Sequence, residues 1–358
     1  LDAVQYAATN ARVRGLYAQL LDEETWASLL ASSDLSGTVT VLRSTAYGDL
    51  IRDMETSSDL SLEQIERRMW GRVAENVRKA RSLLRGGASA LLVVWWKHFE
   101  LENLKALFRG CDQGMDPSVI RRFLIPLADE STLSWDTLLH ERSVIGLIDR
   151  LGDTTYINPL RNALPVYQRE QSLFPVELAL DIRYYRDLAA TINDLGGSDR
   201  ADARRILGTH LDILNILWAY RYRLYYGLSA EEIVNYTLWH TFRTDAALVR
   251  EIALGADPRE ILTKVWGLGA VDLSLLQDAD LSADAGTGLL PRLELTLQRF
   301  WRRLALRELG GYPFGLGTVL GYLVLQELEV HDLVTLLEGK GMGWKHDRIS
   351  QFLIQPKE

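Results

Sequence analysis

Asn103-Leu-Lys-Ala-Leu-Phe-Arg109 returns later in the chain as Asn215-Ile-Leu-Trp-Ala-Tyr-Arg221, and again as Asp332-Leu-Val-Thr-Leu-Leu-Glu338. The first step is 112 residues and the second 117. Around each copy the apolar residues fall three and four apart: Leu101, Leu104, Leu107 and Phe108; Ile213, Ile216, Leu217 and Tyr220; Val330, Leu333, Leu336 and Leu337. That spacing lines one face of an α-helix.

Working outward, other landmarks keep the register. Leu42, Thr45 and Tyr47 form an L-x-x-T-x-Y pattern, read as the first helix of a unit, which Leu151, Thr154 and Tyr156 repeat and Ile261, Lys264 and Trp266 preserve in decayed form. Glu66, Glu177 and Glu294 each follow an aliphatic residue, and Ile120 with Phe123, Ile233 with Tyr236, and Ile349 with Phe352 close each unit. Several landmarks in one order at nearly one spacing predict an all-α chain of three helical repeats, residues 1–128, 129–240 and 241–358, with a terminal helix exchanging between neighbours. Repeats of this kind pack mainly on adjacent copies.

Turn signals divide the chain at Gly86-Gly87, Gly110–Pro117, Gly196-Gly197, Asp284–Pro291 and Gly310–Gly317. Asp116-Pro117 reads as an N-cap with proline at the first helical position, and Ser229 with Glu232 as a capping box. The β-branched run Thr38–Val41 reads as a turn entering a helix. Asn103 and Asn215 sit beside an apolar stripe and read as buried amides bonded to neighbouring backbone.

Of the 358 residues 47% are hydrophobic and 25% charged, the composition of a folded globular chain. A net charge of −8 argues against nucleic acid as the main partner. The single cysteine, Cys111, forms no internal disulfide and no cysteine-rich zinc site. The longest apolar stretch, Ala90–Trp96, is too short to cross a membrane. The ten tryptophans, with Trp95-Trp96 among them, and the Tyr220–Tyr226 stretch read as core rather than belt. No basic-then-apolar leader opens the chain, which begins Leu1-Asp2 without an initiator methionine.

Catalytic patterns are missing. Glu327 and His331 are one helical turn apart, but no third ligand has matching spacing and His-Glu-x-x-His does not occur. Glu100 and Glu102 diverge on a helix. Gly315-Leu-Gly317 lacks the third glycine of a dinucleotide loop, and neither the phosphate-cradling G-x-x-x-x-G-K-[ST] loop nor the G-x-S-x-G elbow is present. The features that recur do so about three times, as architecture does, whereas a catalytic constellation is normally unique. The expectation is no enzyme, no metal, no cofactor and no small-molecule substrate.

Two basic rows stand out against the acidic background. Arg299, Arg302, Arg303 and Arg307 share one helix face, and Arg67, Arg68, Arg72, Arg78, Lys79, Arg81 and Arg85 form a broader run. Such rows suit acidic partner side chains or lipid headgroups, or are ordinary solvated helix faces.

Tyr6-Ala-Ala-Thr-Asn-Ala-Arg-Val-Arg14, Phe99-Glu-Leu-Glu-Asn-Leu-Lys-Ala-Leu-Phe-Arg-Gly110, Asp212-Ile-Leu-Asn-Ile-Leu217, Glu327-Leu-Glu-Val-His-Asp-Leu333 and Glu338-Gly-Lys340 resemble, in order and from end to end, the C subunit of archaeal and bacterial A/V-type ATPases, called d in eukaryotes. The resemblance implies three pseudo-three-fold related helical repeats forming a funnel. It also implies a non-catalytic central-stalk subunit on the cytoplasmic face of the membrane, a monomer when isolated. Its partners are the central shaft subunits and the membrane proteolipid ring, between which it transmits torque. Partner-binding positions expected on this reading are Arg299, Arg302, Arg303, Arg307, Arg109 and Arg221, with Asn103, Asn215 and Asp332 as structural repeat positions. The third copy departs from the family pattern at Asp332, where Asn is commoner, and at His331 and Glu338, where Arg is usual. The second lacks the Gly-Lys of the third. The competing readings are a helical-repeat protein-binding scaffold outside a rotary ATPase and an all-helical metal-dependent enzyme, which three carboxylates converging on one pocket would favour.

Overall fold

The computed structural model describes residues 2–52, 61–127, 131–238, 241–277 and 286–355. Every regular element among the described residues is helical, without a β-strand. The chain divides into two compact units, one of residues 19–188 with 340–343, the other of residues 1–18, 189–339 and 344–358.

The three signature segments lie on the helices Gly86–Asp112, Thr209–Tyr225 and Leu316–Gly341, and every stripe residue named above is buried. Burial is not confined to the stripe. Leu91, Leu92, Trp95, Trp96 and Phe99 are also inside, so the first signature helix is apolar around most of its circumference, as an interior helix must be. Tyr220 and Tyr222 are core residues, while Tyr225 and Tyr226 are exposed.

Each signature helix is followed by a glycine in the left-handed region: Gly114 (φ 64°), Gly227 (φ 59°) and Gly343 (φ 71°). Without a Cβ this backbone carries no steric penalty, and the chain can reverse at once. It then enters a short closing helix, Pro117–Phe123, Ala230–Asn235 or His346–Ser350. The first begins as expected from Asp116, whose side chain accepts the Ser118 N–H at 2.8 Å, with Pro117 in the first turn. The second begins from the Ser229–Glu232 capping box.

In two copies the closing helix is seated on a glycine. A Cβ on Gly110 would stand 2.5 Å from Ile120 Cγ1, and one on Gly339 would stand 2.8 Å from Ile349 Cγ1. The second copy has Tyr222 at this position, its ring edge-on to Tyr236 at 6.5 Å between centroids.

In the unit of residues 19–188, Leu62–Arg81 packs along Gly86–Asp112. In the other unit, Thr209–Tyr225 packs on Gly286–Leu309 and Ala246–Ala253. A π-helical turn, Arg204–Gly208, joins Gly197–Ala203 to Thr209–Tyr225. One residue inserted into the turn widens it, and no break in the apolar pattern marks the place.

Three local expectations are corrected. Thr38–Val41 lies inside the helix Leu35–Leu42, started by Asp34, which accepts the Gly37 N–H at 2.8 Å. The cap and the burial of Val39 and Leu42 outweigh the weak helix aversion of β-branched residues. The expected turn at Asp284–Pro291 is helical from Gly286 onward, with residues 284 and 285 outside the described ones. Pro291 is the sixth residue of that helix and costs it one intrahelical bond, which the burial of the neighbouring Leu289, Leu290 and Leu293 outweighs. The L-x-x-T-x-Y motif is not a helix but the turn that closes one. Thr45 Oγ1 donates to Leu42 O at 2.7 Å and accepts the Tyr47 N–H at 3.1 Å, and Thr154 Oγ1 accepts the Tyr156 N–H at 3.3 Å. The decayed copy, Ile261 to Trp266, runs within the helix Pro258–Trp266.

The glycine seats give a paired prediction. Gly110→Ala forces Ile120 off its seat and is expected to destabilise by about 1–3 kcal/mol in urea denaturation. Gly15→Ala, at an exposed helical position with open space around it, is expected to stabilise by about 0.5–1 kcal/mol. Equal effects at the two sites would contradict the seating.

Candidate functional site

The repeat positions Asn103, Asn215 and Asp332 perform one mechanical task. Asn103 Nδ2 donates to Ile125 O at 2.9 Å, and its Oδ1 accepts the Ile125 N–H at 2.6 Å. Asn215 Nδ2 donates to Leu238 O at 2.8 Å, and its Oδ1 accepts the Leu238 N–H at 2.7 Å. Each amide presents a donor beside an acceptor and so matches both polar groups of one backbone residue. The residue held lies just past the closing helix, so each amide ties helix, turn and closing helix into one loop.

The third clamp uses different chemistry. Asp332 Oδ1 accepts the Ile354 N–H at 2.7 Å and Oδ2 accepts the Gln355 N–H at 2.9 Å. A carboxylate has no donor, and the donor comes instead from Arg299, whose Nη2 reaches Leu353 O at 2.8 Å. All three clamp side chains are buried.

One turn before each clamp residue stands a buried carboxylate: Glu100, Asp212 and Glu329. Glu100 accepts from Ser131 Oγ at 2.7 Å and from the Tyr156 hydroxyl at 2.9 Å. Asp212 Oδ1 accepts from Thr241 Oγ1 at 2.7 Å and from the N–H groups of Arg243 at 2.7 Å and Thr244 at 2.9 Å. Burial pushes the Asp212 carboxyl above its ordinary range, against the pull of those donors. Sequence reasoning missed these acids, although the signal was present as Glu100-Leu-Glu-Asn103, Asp212-Ile-Leu-Asn215 and Glu329-Val-His-Asp332.

The repeated glutamates receive the signature arginines. Arg109 makes a two-point pair with Glu177 at 2.5 and 3.1 Å, and Arg221 approaches Glu294 at 3.9 Å. Nearby, Lys105 Nζ bridges Glu102 at 2.8 Å and Asp181 at 3.0 Å. The third copy has Glu338 in place of the arginine. Lys340 from the Glu338-Gly-Lys340 motif is buried, and its Nζ donates to Leu30 O at 2.9 Å and to Ser32 O. It thereby caps the C-terminal carbonyls of the helix Glu23–Ala31.

Of the arginines expected to meet partners, Arg109, Arg221 and Arg299 are thus engaged within the chain. Arg302 is half-buried; burial lowers its pKa, and Asp332, Tyr17 and Glu329 face it. Arg303 is exposed and donates to Ala270 O at 3.3 Å, and Arg307 is exposed. In the broader basic run, Arg68 donates to Leu50 O at 2.9 Å, Arg72 donates to Ala46 O, and Arg78 pairs with Glu75 at 2.6 Å.

A polar depression of about 580 Å³ opens in the unit of residues 19–188, lined by Lys97, Arg150 and several hydroxyls. Its described carboxylates are only Glu100 and Asp153. Among the described residues no group of three or more His, Cys, Asp or Glu side chains could hold a metal ion.

Comparison with known proteins bears on what this architecture serves. The model of a family described as "ATP synthase (C/AC39) subunit" matches residues 9–352. The C subunit of the A-type ATP synthase of Methanocaldococcus jannaschii is 26% identical over 99% of this chain and 87% of its own length. That of Methanothermobacter thermautotrophicus is 24% identical over 95% of this chain and 85% of its own length. The C subunit of the V-type ATP synthase of Deinococcus radiodurans is 26% identical over 60% of this chain and 59% of its own length.

Asn103→Ala leaves the Ile125 N–H and C=O without their buried partner. It is expected to lower stability in urea denaturation by about 2–6 kcal/mol, the sum for two orphaned groups. A loss below about 0.5 kcal/mol would show that the clamp holds nothing the surroundings cannot supply.

Proposed function

The chain belongs to the ATP synthase (C/AC39) subunit family and is a rotary ATPase subunit; from that premise we propose that it is the socket seating the central shaft on the membrane proteolipid ring. The observation that carries this reading is the span of the family match, residues 9–352, beside relatives named as C subunits that align over nearly the whole chain. The C subunit is an accessory part rather than the catalytic one. The chain's task is mechanical: it turns with shaft and ring and carries torque between ATP chemistry and ion translocation.

Several features support that task. A torque-bearing part must not yield internally, and close-packed interiors transmit strain. The clamps close each helix–turn–helix loop on itself, and the Arg109–Glu177 and Lys105–Asp181 contacts tie helices far apart in sequence. No helix among the described residues is long and apolar enough to cross a membrane, which suits a peripheral subunit resting on the cytoplasmic face. Arg303 and Arg307, exposed on one helix, are the basic residues best placed to meet acidic partner side chains.

Purifying the tagged chain from its native membranes in mild detergent tests this role. Shaft subunits and the proteolipid ring are expected to come with it. Arg307→Glu is expected to reduce their recovery while leaving the thermal midpoint of the isolated chain unchanged. Recovery of soluble proteins alone, with no ATPase component, would replace the socket with a scaffold working elsewhere.

A further inference from the structure

A comparison of the three copies exposes an insertion. A Gly-Gly pair turns the chain ahead of each signature helix: Gly86-Gly87, Gly196-Gly197 and Gly310-Gly311. The step from Gly86 to Asn103 is 17 residues, from Gly196 to Asn215 it is 19, and from Gly310 to Asp332 it is 22. In the first two copies a helix starts within the pair, at Gly86 and Gly197, and the π turn accounts for one of the two extra residues in the second. In the third copy the helix starts only at Leu316, and Tyr312-Pro313-Phe314-Gly315 stands in between. Two copies pass from helix to helix without such a segment, so the turn itself does not require it. The segment puts aromatic rings outside: Tyr312 is 71% exposed and Phe314 42%, and the rings meet edge-on at 5.7 Å. Its base is fixed. Thr318 Oγ1 donates to Tyr312 O at 3.2 Å, and the Gly317 N–H donates to Asp202 Oδ2 at 2.9 Å. Behind it a Cβ on Gly321 would stand 2.6 Å from Ala305 O, so the two long helices are in close contact. Exposed rings on a fixed base lose little freedom when they bind.

We propose that the tip Tyr312–Phe314 is a contact for membrane lipid, its two rings entering the headgroup layer and Arg307 meeting a lipid phosphate.

Side-chain chemistry and charge both favour that occupant. Tyrosine has an apolar body and a wet hydroxyl, the combination found at the membrane–water boundary. Arg205 binds Glu308 at 2.8 and 3.1 Å and also binds Asp202, so these two acids at the base are compensated within the chain. Arg307, on the same end of its helix, is exposed and available to a phosphate. The choice of lipid over a protein surface rests on the socket reading. A part that turns on a membrane can touch a fluid headgroup layer without a fixed register. A ring seated in a protein that does not turn with it would hold it back. Two rings and one arginine make a weak, reversible contact, as single anchors do.

Flotation of the full chain with vesicles of phosphatidylcholine and about one-third phosphatidylglycerol provides the test. The unaltered chain is expected to float in proportion to the lipid supplied. Tyr312→Ser combined with Phe314→Ser is expected to lower the partition coefficient about tenfold at an unchanged thermal midpoint. Leu268→Ser, at a lone apolar residue 92% exposed, is expected to change it less than about twofold. No flotation of the unaltered chain, or equal partition of the double variant, would overturn the lipid contact. Purification of both chains from native membranes separates this outcome from failure of the socket. If the unaltered chain does not float, yet the double variant loses shaft and ring, the tip meets a protein and the socket stands. If flotation depends on the two rings and no ATPase component is recovered, the lipid contact stands and the socket fails.

Discussion

One buried side chain, Asn or Asp, reaching back to backbone just past the next short helix is the constraint on which each signature region depends. Burying the polar groups of Ile125, Leu238 or Ile354 would be costly without a partner. The signature helix supplies that partner from its own interior face. This explains why a buried polar residue recurs at that place in each signature helix. It also explains the local details around it. The left-handed glycine sets the reversal, a side-chain cap sets where the first two closing helices begin, and Gly110 and Gly339 let the closing helix approach closely in their copies.

Charge is used differently in the two kinds of place where it is buried. At Asp332, Glu100 and Asp212 it satisfies hydroxyl and backbone donors, fixing loops to the helix that carries them. Along the helix flanks it joins segments far apart in sequence, as in Lys105 between Glu102 and Asp181. Exposed pairs such as Arg121–Asp136 add little stability. Under the proposed socket role both uses serve the chain, because both remove internal freedom.

Much of this was legible in the sequence. Periodicity located the three signature helices and their stripes, and both predicted caps start helices. Asn103 and Asn215 were readable as satisfied buried amides, because an amide beside an apolar stripe needs a partner. Other features were not legible, for identifiable reasons. Arg109 with Glu177, and Arg221 with Glu294, pair across segments whose proximity no local pattern encodes, so arginines that looked available to partners are committed within the chain. Arg299 looked like one of four residues on a basic face, but it completes a clamp whose need for a donor arises only from Asp332 lacking one. The π turn at Arg204–Gly208 leaves the apolar spacing intact and is therefore silent. Pro291 misled because proline usually breaks a helix interior, whereas here the buried leucines around it hold the helix through it. The buried acids before each clamp were visible as a repeat and were overlooked because acids on helices are usually solvated.

The central claim, that this chain is a turning socket rather than a stationary connector, is tested most directly by watching it move. A gold rod attached to the chain in the intact complex, with the catalytic head fixed to a surface, should rotate in one direction while ATP is hydrolysed and stop when ATP is removed. A rod that stays still while the shaft turns would place the chain among the stationary parts and contradict the socket role.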